Sequence, residues 1–251
     1  IATWPTWFGP ADGLLAVLVL VVVFLGSSFA ARNSDIWLHL AAGKRLTTGE
    51  YKLGSDPFSY TAADRTWVNH SWLFALAAYS LHSGNGSLLV ILKALAATAA
   101  FALLLLIRRS GQPLWPWAML ATLAALASLN MFTLRPYVAS VFFLALTLYL
   151  VFRMPSPPGS WRLPLAIAGT FALWSNFDGW FVLGPLALAL LAIGEAVRTV
   201  VLKGGPTEGD PLGSLPDLPT LVKALGLGGL ACMLNPHPVR GWGIPYGLVG
   251  G

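Results

Sequence analysis

Asp35 and His39 are the residues whose type and spacing most directly suggest chemistry. On a helix, residues four apart lie on the same face, so a carboxylate and an imidazole at these positions can act on one small volume. This arrangement suits a general base or a divalent-cation ligand, with Asp35 as the candidate for either role. The alternative is that Asp35 only complements the positive end of a helix dipole and His39 is a solvated neighbour.

A second group of candidates follows in the same polar stretch. Asp56 begins the run Asp-Pro-Phe-Ser-Tyr, and Trp67 and His70 belong to the run Trp-Val-Asn-His-Ser-Trp. These segments combine an acid, a histidine and aromatic rings, on which sugar rings stack well. We therefore consider Asp56 as a second catalytic acid, and Trp67 and His70 as substrate-binding residues. Alternatively, the aromatic residues anchor the loop at the lipid head groups and Asp56 forms a turn.

Three charged residues lie at the edges of apolar runs, where ionisable groups are functional candidates by default. Lys93 and Arg135 are the cations closest to lipid, and either can bind a lipid phosphate or a carboxylate. Lys93 can instead snorkel outward, and Arg135 can anchor the membrane interface. Asp178 stands between two short apolar runs that can line a polar cavity, or it is a turn residue.

Composition indicates a membrane protein. Hydrophobic residues make up 56% of the 251 residues and charged residues only 10%, whereas soluble domains carry about a quarter charged residues. The net charge of +5 is scattered through short loops. Anionic lipid head groups are therefore the expected partners rather than nucleic acid. A single cysteine, Cys232, lies in an apolar stretch and is expected to be a buried, inert thiol.

The apolar runs predict an all-α bundle with about seven membrane spans, since a span needs about 20 apolar residues. We divide the chain into a first span (13–31), an exterior loop with interfacial helices (32–86), five spans (87–202), a Gly/Pro-rich cytoplasmic linker (203–220), and a last span with an exterior tail (221–251). Ser34 is expected to cap an interfacial helix from Asp35 to about Thr48. The shorter run from Trp72 to Leu81 suits an interfacial or re-entrant helix at least as well as a span. The chain begins with Ile1, which is consistent with a piece of a longer protein.

The number of membrane crossings between them predicts that four polar motifs lie on the same face of the membrane. If residues 72–81 do not cross, the Arg-rich loops near residues 108, 153–162 and 198–203 share the opposite face, which the positive-inside rule makes cytoplasmic. The exterior face then receives the loop 32–86, Arg135, the run Asn176-Phe-Asp-Gly and the run Asn235-Pro-His. We expect a multi-pass protein of the bacterial inner membrane with its polar surface outside.

The order of these motifs resembles the C-type (GT-C) superfamily of polytopic membrane glycosyltransferases. The likeness rests on Asp35-Ile-Trp-Leu-His-Leu-Ala-Ala-Gly-Lys-Arg-Leu after the first span, then on the runs that begin at Asp56 and at Trp67. Resemblance to this superfamily implies sugar transfer from a polyprenyl-phosphate donor, with Asp35 as the catalytic or metal-binding acid and possible use of Mg²⁺ or Mn²⁺. Members often carry two adjacent acids at that position, whereas Ile36 follows Asp35 here.

Two other classes of function fit the same residues. One is a non-catalytic transmembrane scaffold that keeps this fold as a subunit of a larger membrane complex. The other is a transporter, in which Lys93, Asp178 and the interrupted spans line a pathway. Phosphate-cradling, zinc-binding, nucleophile-elbow and dinucleotide motifs are absent from the sequence.

Overall fold

A computed structural model describes residues 9–30, 33–59, 66–108, 111–157, 159–201, 215–238 and 242. The described chain is helical apart from one antiparallel pairing of two-residue strands, β1 (Gly54–Ser55) and β2 (Thr66–Trp67). The helices are α1 (Pro10–Ser27), α2 (Asp35–Thr48), α3 (Trp72–Gly84), α4 (Gly86–Leu106), α5 (Trp115–Ser128), α6 (Tyr137–Arg153), α7 (Arg162–Phe177), α8 (Leu183–Ala196) and α9 (Leu218–Ala231). Short 3₁₀ turns cover Leu129–Met131, Gly179–Val182 and Cys232–Leu234, and a π-helical turn, Val197–Val201, continues α8.

Three helical segments are long and apolar enough to cross a membrane: Pro10–Ser27, Gly86–Leu106 and Gly179–Val200. Two shorter apolar helices cover Tyr137–Arg153 and Leu218–Leu234. The prediction of a helical membrane protein is therefore supported, while the count of seven spans stays a prediction. The third long segment is longer than the apolar run expected from the sequence. The reason is that a 3₁₀ turn continues directly into α8 and the π-helical turn follows it. The segment accommodates Glu195 and Arg198, whose side chains form an ion pair at 2.5 Å.

The outer surfaces of the long helices are apolar. Leu25 on α1 is 67% exposed and Leu190 on α8 is 60% exposed, and many other large aliphatic side chains on these helices face outward. Contiguous exposed apolar surface of this extent is unusual for a water-soluble monomer and is expected where helices face lipid. The exposed surface of these long helices therefore supports a membrane protein.

Inside, three hydrophobic clusters hold the helices together. One joins α1, α4 and α5 around Val23 and Phe101. The largest joins α6 to α9 around Phe171 and Trp174. The third packs α2 and α3 against α4 around Ile36. Helices α2 and α3 are thus packed onto the end of the bundle.

Helix α2 has the bounds that the sequence predicts. It ends at Gly49, whose φ of +75° is the left-handed conformation typical of a helix C-terminus. Its start differs from the expectation, since Ser34 makes no side-chain capping bond. The backbone of Ser34 is already helical, whereas a capping residue needs an extended conformation to turn its hydroxyl back onto the first turn.

Helix α3 has only 13 residues, about 20 Å at 1.5 Å per residue, which is too short for the ~30 Å hydrocarbon core. It packs closely on α2: a Cβ built at Gly43 would lie 2.1 Å from the carbonyl oxygen of Ala75. Asn85 then separates α3 from α4 and accepts a hydrogen bond from the backbone N–H of Ser87. This geometry fits the interfacial interpretation of residues 72–81.

Candidate functional site

An ion pair joins the exterior loop to the start of α6. Asp35 is the first residue of α2, and its Oδ2 lies 2.6 Å from Nη2 of Arg135. The same two chain segments are tied by Asn33, whose Nδ2 donates to the carbonyl oxygen of Leu134 at 3.1 Å. Both charged side chains remain roughly half exposed, at 47% for Asp35 and 44% for Arg135. They are therefore accessible to a ligand from outside the bundle.

His39 lies one turn along α2 from this pair, as its spacing predicts. Its ring meets that of Phe74 edge to face, with centroids 5.1 Å apart. Burial lowers the pKa of His39 below its ordinary value of 6.5, and the positive charge of Arg135 acts in the same direction, while Asp35 opposes them. A neutral imidazole thus lies beside the exposed carboxylate near neutral pH.

A cavity of about 270 Å³ opens beside the ion pair. Its walls are apolar except for two cations, Lys93 and Arg135. The other lining residues are Phe74, Ala77, Ala78, Leu81, Leu89, Leu92, Ala96, Leu134, Val138, Ala139 and Phe177. This space, which we call the first cavity, combines the hydrophobic lining of a lipid-chain site with positive charge suited to an anionic head group.

Lys93 is buried in the structure, with 6% of its surface exposed. Its ammonium group donates to the carbonyl oxygen of Phe29 at 2.9 Å and lies 3.9 Å from the centroid of the Phe29 ring. Carbonyl and ring-face contacts are both favourable to a cation in an apolar environment. Lys93 therefore ties α4 to the chain that follows α1 while it also lines the first cavity.

Asp56 and Trp67 belong to a neighbouring aromatic cluster. Oδ1 of Asp56 accepts bonds from the backbone N–H groups of Phe58 and Ser59, which is the geometry of a turn residue. The Trp67 ring packs against the rings of Tyr51 and Phe58, with centroids 5.6 and 5.7 Å away. The structure thus brings Asp56 and Trp67 to one cluster, and the contacts described for both residues lie within that cluster rather than at Asp35.

This aromatic cluster is fastened to α2 by Arg45. Its Nη1 donates to the carbonyl oxygen of Pro57, and its guanidinium lies 4.9 Å from the centroid of the Phe58 ring. Burial raises the pKa of Tyr51, and Asp56 raises it further, against the opposing effect of a hydrogen bond with Asn69. The cluster is therefore a folded part of the segment between α2 and α3.

His70 belongs to the loop before α3, and the charge of His237, in the segment after α9, acts on it. Burial lowers its pKa, and His237 lowers it further by charge repulsion. Beside this histidine pair, Nε1 of Trp72 donates to Oδ1 of Asn176 at 2.8 Å, and Nδ2 of Asn235 donates to the carbonyl oxygen of Ser175. The loop before α3, the end of α7 and the segment after α9 thus form one seam.

From the number of membrane crossings between them, four polar motifs were expected to lie on one face of the membrane. In the structure these four motifs are in contact. Asp35 contacts Arg135, and Trp72 contacts Asn176. Asn176 in turn donates to the carbonyl oxygen of Leu234 at 3.4 Å. These contacts put the loop, the start of α6, the end of α7 and the end of α9 at the same end of the molecule.

Asp178 takes part in a different set of contacts at this end. It is 6% exposed and accepts a hydrogen bond from Oγ of Ser140, which in turn accepts one from Nε1 of Trp174 at 2.7 Å. Asp178 also precedes the 3₁₀ turn Gly179–Val182. Its neighbour Phe177 lines the first cavity, but its own carboxylate is bonded within the protein.

The described residues do not provide a recognisable metal site. Among them, no group of three or more His, Cys, Asp or Glu side chains is placed to hold a cation. Mg²⁺ and Mn²⁺ favour several oxygen ligands, whereas the ion pair offers the single carboxylate of Asp35. A divalent cation therefore stays a prediction of the family resemblance, and no step of the chemistry below depends on it.

Sequence reasoning missed three residues that organise this end of the molecule. Ser140 and Trp174 lie inside apolar helices, and nothing in the sequence around them indicates that their side chains bond to each other. His237 follows Asn235-Pro, a run that was expected on the same face as His70, but its effect on the pKa of His70 was not predicted. A polar residue within a predicted span is the one signal that could have drawn attention to Ser140.

Compared with protein-family models, characterised proteins and solved structures, the chain matches none.

Proposed function

We propose that this protein is a membrane glycosyltransferase of the C-type architecture that transfers a sugar from a polyprenyl-phosphate donor at the exterior face of a bacterial inner membrane. The observation that carries the proposal is the Asp35–Arg135 ion pair at an apolar cavity that Lys93 also lines. In this proposal α5, α6, α7 and α9 also cross the bilayer, which gives seven spans with α1, α4 and α8.

The first cavity suits an amphiphilic donor. Its apolar walls match a hydrocarbon chain, and Lys93 and Arg135 supply positive charge for a phosphate. Because Arg135 is already bonded to Asp35, a phosphate that binds Arg135 competes with the carboxylate. Donor binding would thereby release Asp35 for chemistry.

The released carboxylate is placed to act as a general base. As the acceptor hydroxyl attacks the anomeric carbon, its oxygen forms the new glycosidic bond and its proton passes to Asp35. The bond between that carbon and the phosphate oxygen breaks, and the polyprenyl phosphate leaves with the electron pair. Arg135 and Lys93 stabilise the negative charge of the leaving group. His39 flanks the base as a neutral side chain.

The exterior surface beyond the ion pair would bind the rest of the substrates. Trp67 and Phe58 present aromatic rings on which a sugar can stack, and Asp56 shapes the turn that holds them. His70 and Asp178 would support this surface from the seam and from the start of α8, respectively.

The proposal is tested by sugar transfer in lipid vesicles from a labelled polyprenyl-phosphate sugar. We expect Asp35→Asn to lower the rate at least about 100-fold, the usual effect of removing a general base. Glu50→Gln is the matched control, because Glu50 is an exposed carboxylate at the end of the same interfacial helix. Equal rates for wild type and Asp35→Asn would remove Asp35 from the mechanism.

A second candidate function is a non-catalytic scaffold subunit. It is favoured by the observation that the three candidate carboxylates are bonded within the protein: Asp35 to Arg135, Asp56 to its own turn and Asp178 to Ser140. Purification in mild detergent distinguishes the two functions. A stable stoichiometric membrane partner, together with no transfer by the purified complex, would support the scaffold.

A further inference from the structure

A second cavity, of about 420 Å³, lies on the other side of the start of α6. Phe101, Phe132, Leu144 and Leu183 supply much of its apolar wall. None of the residues that line it, all of which are described, carries a charge. Three hydroxyl side chains also line it, those of Ser128, Tyr137 and Ser140. Two of them are bonded within the protein: Ser140 donates to Asp178, and Tyr137 donates to the carbonyl oxygen of Met131. An apolar ligand is therefore favoured over a sugar or an ion.

The second cavity is bordered by surface that faces lipid. Met131 is 63% exposed and Trp180 is 45% exposed, and both belong to its lining. They continue the apolar outer surface formed by Leu186 and Leu190 of α8. An apolar opening in such a surface is reached from the bilayer, where hydrocarbon chains are the abundant apolar groups.

The two cavities share α6. Val138 and Ala139 line the first, whereas Ser140 and Val141, in the next positions of the helix, contribute to the second. Arg135 lies just before this turn and forms the ion pair with Asp35. Chains held in the two cavities would therefore bring their head groups to the same ion pair.

We propose that the second cavity binds an acyl chain of a glycerolipid and that a hydroxyl of this lipid's head group is the acceptor of the transfer. This inference rests on the proposed function. The head-group oxygen forms the bond to the anomeric carbon, its proton passes to Asp35, and the polyprenyl phosphate leaves from the first cavity. The product is a glycosylated glycerolipid that stays in the membrane.

The test uses phosphatidylglycerol with a photoreactive diazirine in one acyl chain, added in small amount to phosphatidylcholine nanodiscs that contain the whole protein. Crosslinks are expected on peptides that carry Phe101 and Leu144. Leu144→Trp fills the cavity, and excluding about two methylene groups should lower this crosslinking about tenfold. Leu186→Trp, on the outer face of α8, is the matched control and should leave it unchanged. Val141→Trp replaces Leu144→Trp if that variant fails to fold.

A photoreactive polyprenyl phosphate, used in parallel, separates the inference from the proposed function. Crosslinking of this probe near Lys93 should survive Leu144→Trp, while transfer of label to phosphatidylglycerol should fall. If the polyprenyl probe labels the Lys93 region but phosphatidylglycerol never labels the second cavity, the inference is wrong and the proposed function stands. If neither probe binds at its cavity, both are wrong. Occupation of the second cavity by a co-purifying protein would likewise overturn the lipid assignment.

Discussion

Nη2 of Arg135 lies 2.6 Å from Oδ2 of Asp35, although α3, α4 and α5 separate the two residues in the chain. The contact joins the first turn of α2 to the segment just before α6, and its Arg135 side lines the first cavity. A ligand phosphate at Arg135 and the carboxylate of Asp35 cannot both take the same guanidinium edge. Under the proposed function, the pair therefore links donor binding to the availability of the base.

The ion pair should matter more for activity than for stability. Because both side chains are about half exposed, the Asp35→Asn and Arg135→Gln variants should each lose no more than about 1 kcal/mol of stability. Thermal unfolding in detergent, with the double variant to close a thermodynamic cycle, measures this coupling. A large loss of folded protein in either variant would show that the pair is structural instead.

Acid should weaken the seam between the exterior loop and the segment after α9. Burial and His237 lower the folded-state pKa of His70 below the ordinary value of 6.5. The unfolded chain then binds the proton more readily, so stability is lost as pH falls from about 6.5 toward the folded pKa and is constant below it. His70→Gln should flatten, but not abolish, the fall in melting temperature between pH 7.5 and 5.5, because the pKa of His39 is also lowered. The same dependence in both proteins would contradict this assignment.

Gly43 should be intolerant of a side chain. A Cβ there would meet the backbone carbonyl oxygen of Ala75 at 2.1 Å, so Gly43→Ala must push α2 away from α3 at a cost of about 1–3 kcal/mol. Gly169→Ala is the control: nothing lies within 4 Å of its added methyl group, and removing a glycine inside a helix should be neutral or stabilising. Thermal unfolding and limited proteolysis of the exterior loop compare the two variants.

The proposed seven spans place α2 and the loop after α6 on opposite sides of the membrane. Cys232 is buried, so Cys232→Ser provides a background without native thiols. In that background we expect Glu50→Cys to react with a membrane-impermeant maleimide added outside intact cells. Pro155→Cys should react only after the membrane is opened. Labelling of both positions from the same side would exclude the proposed topology.

The interfacial helix and the membrane character could be predicted because they depend on local properties. The bounds of α2 follow from its composition and from Gly49, and the apolar runs at α1 and α4 are long enough to identify themselves. The lengths of α7, α8 and α9 were harder to predict, since short turns extend or end these helices according to what they pack against.

From the sequence we could predict that Asp35, His39, Arg135 and Lys93 lie near a membrane surface, because hydropathy and helical spacing act over short distances along the chain. Their partners follow from the fold, in which Arg135 bonds to Asp35 and Lys93 bonds to the carbonyl oxygen of Phe29. The fold also brings the charge of His237 close enough to His70 to lower its pKa. Such partners depend on how separate helices pack, and packing is set by the fit of many side chains across helices rather than by the order of residues within one.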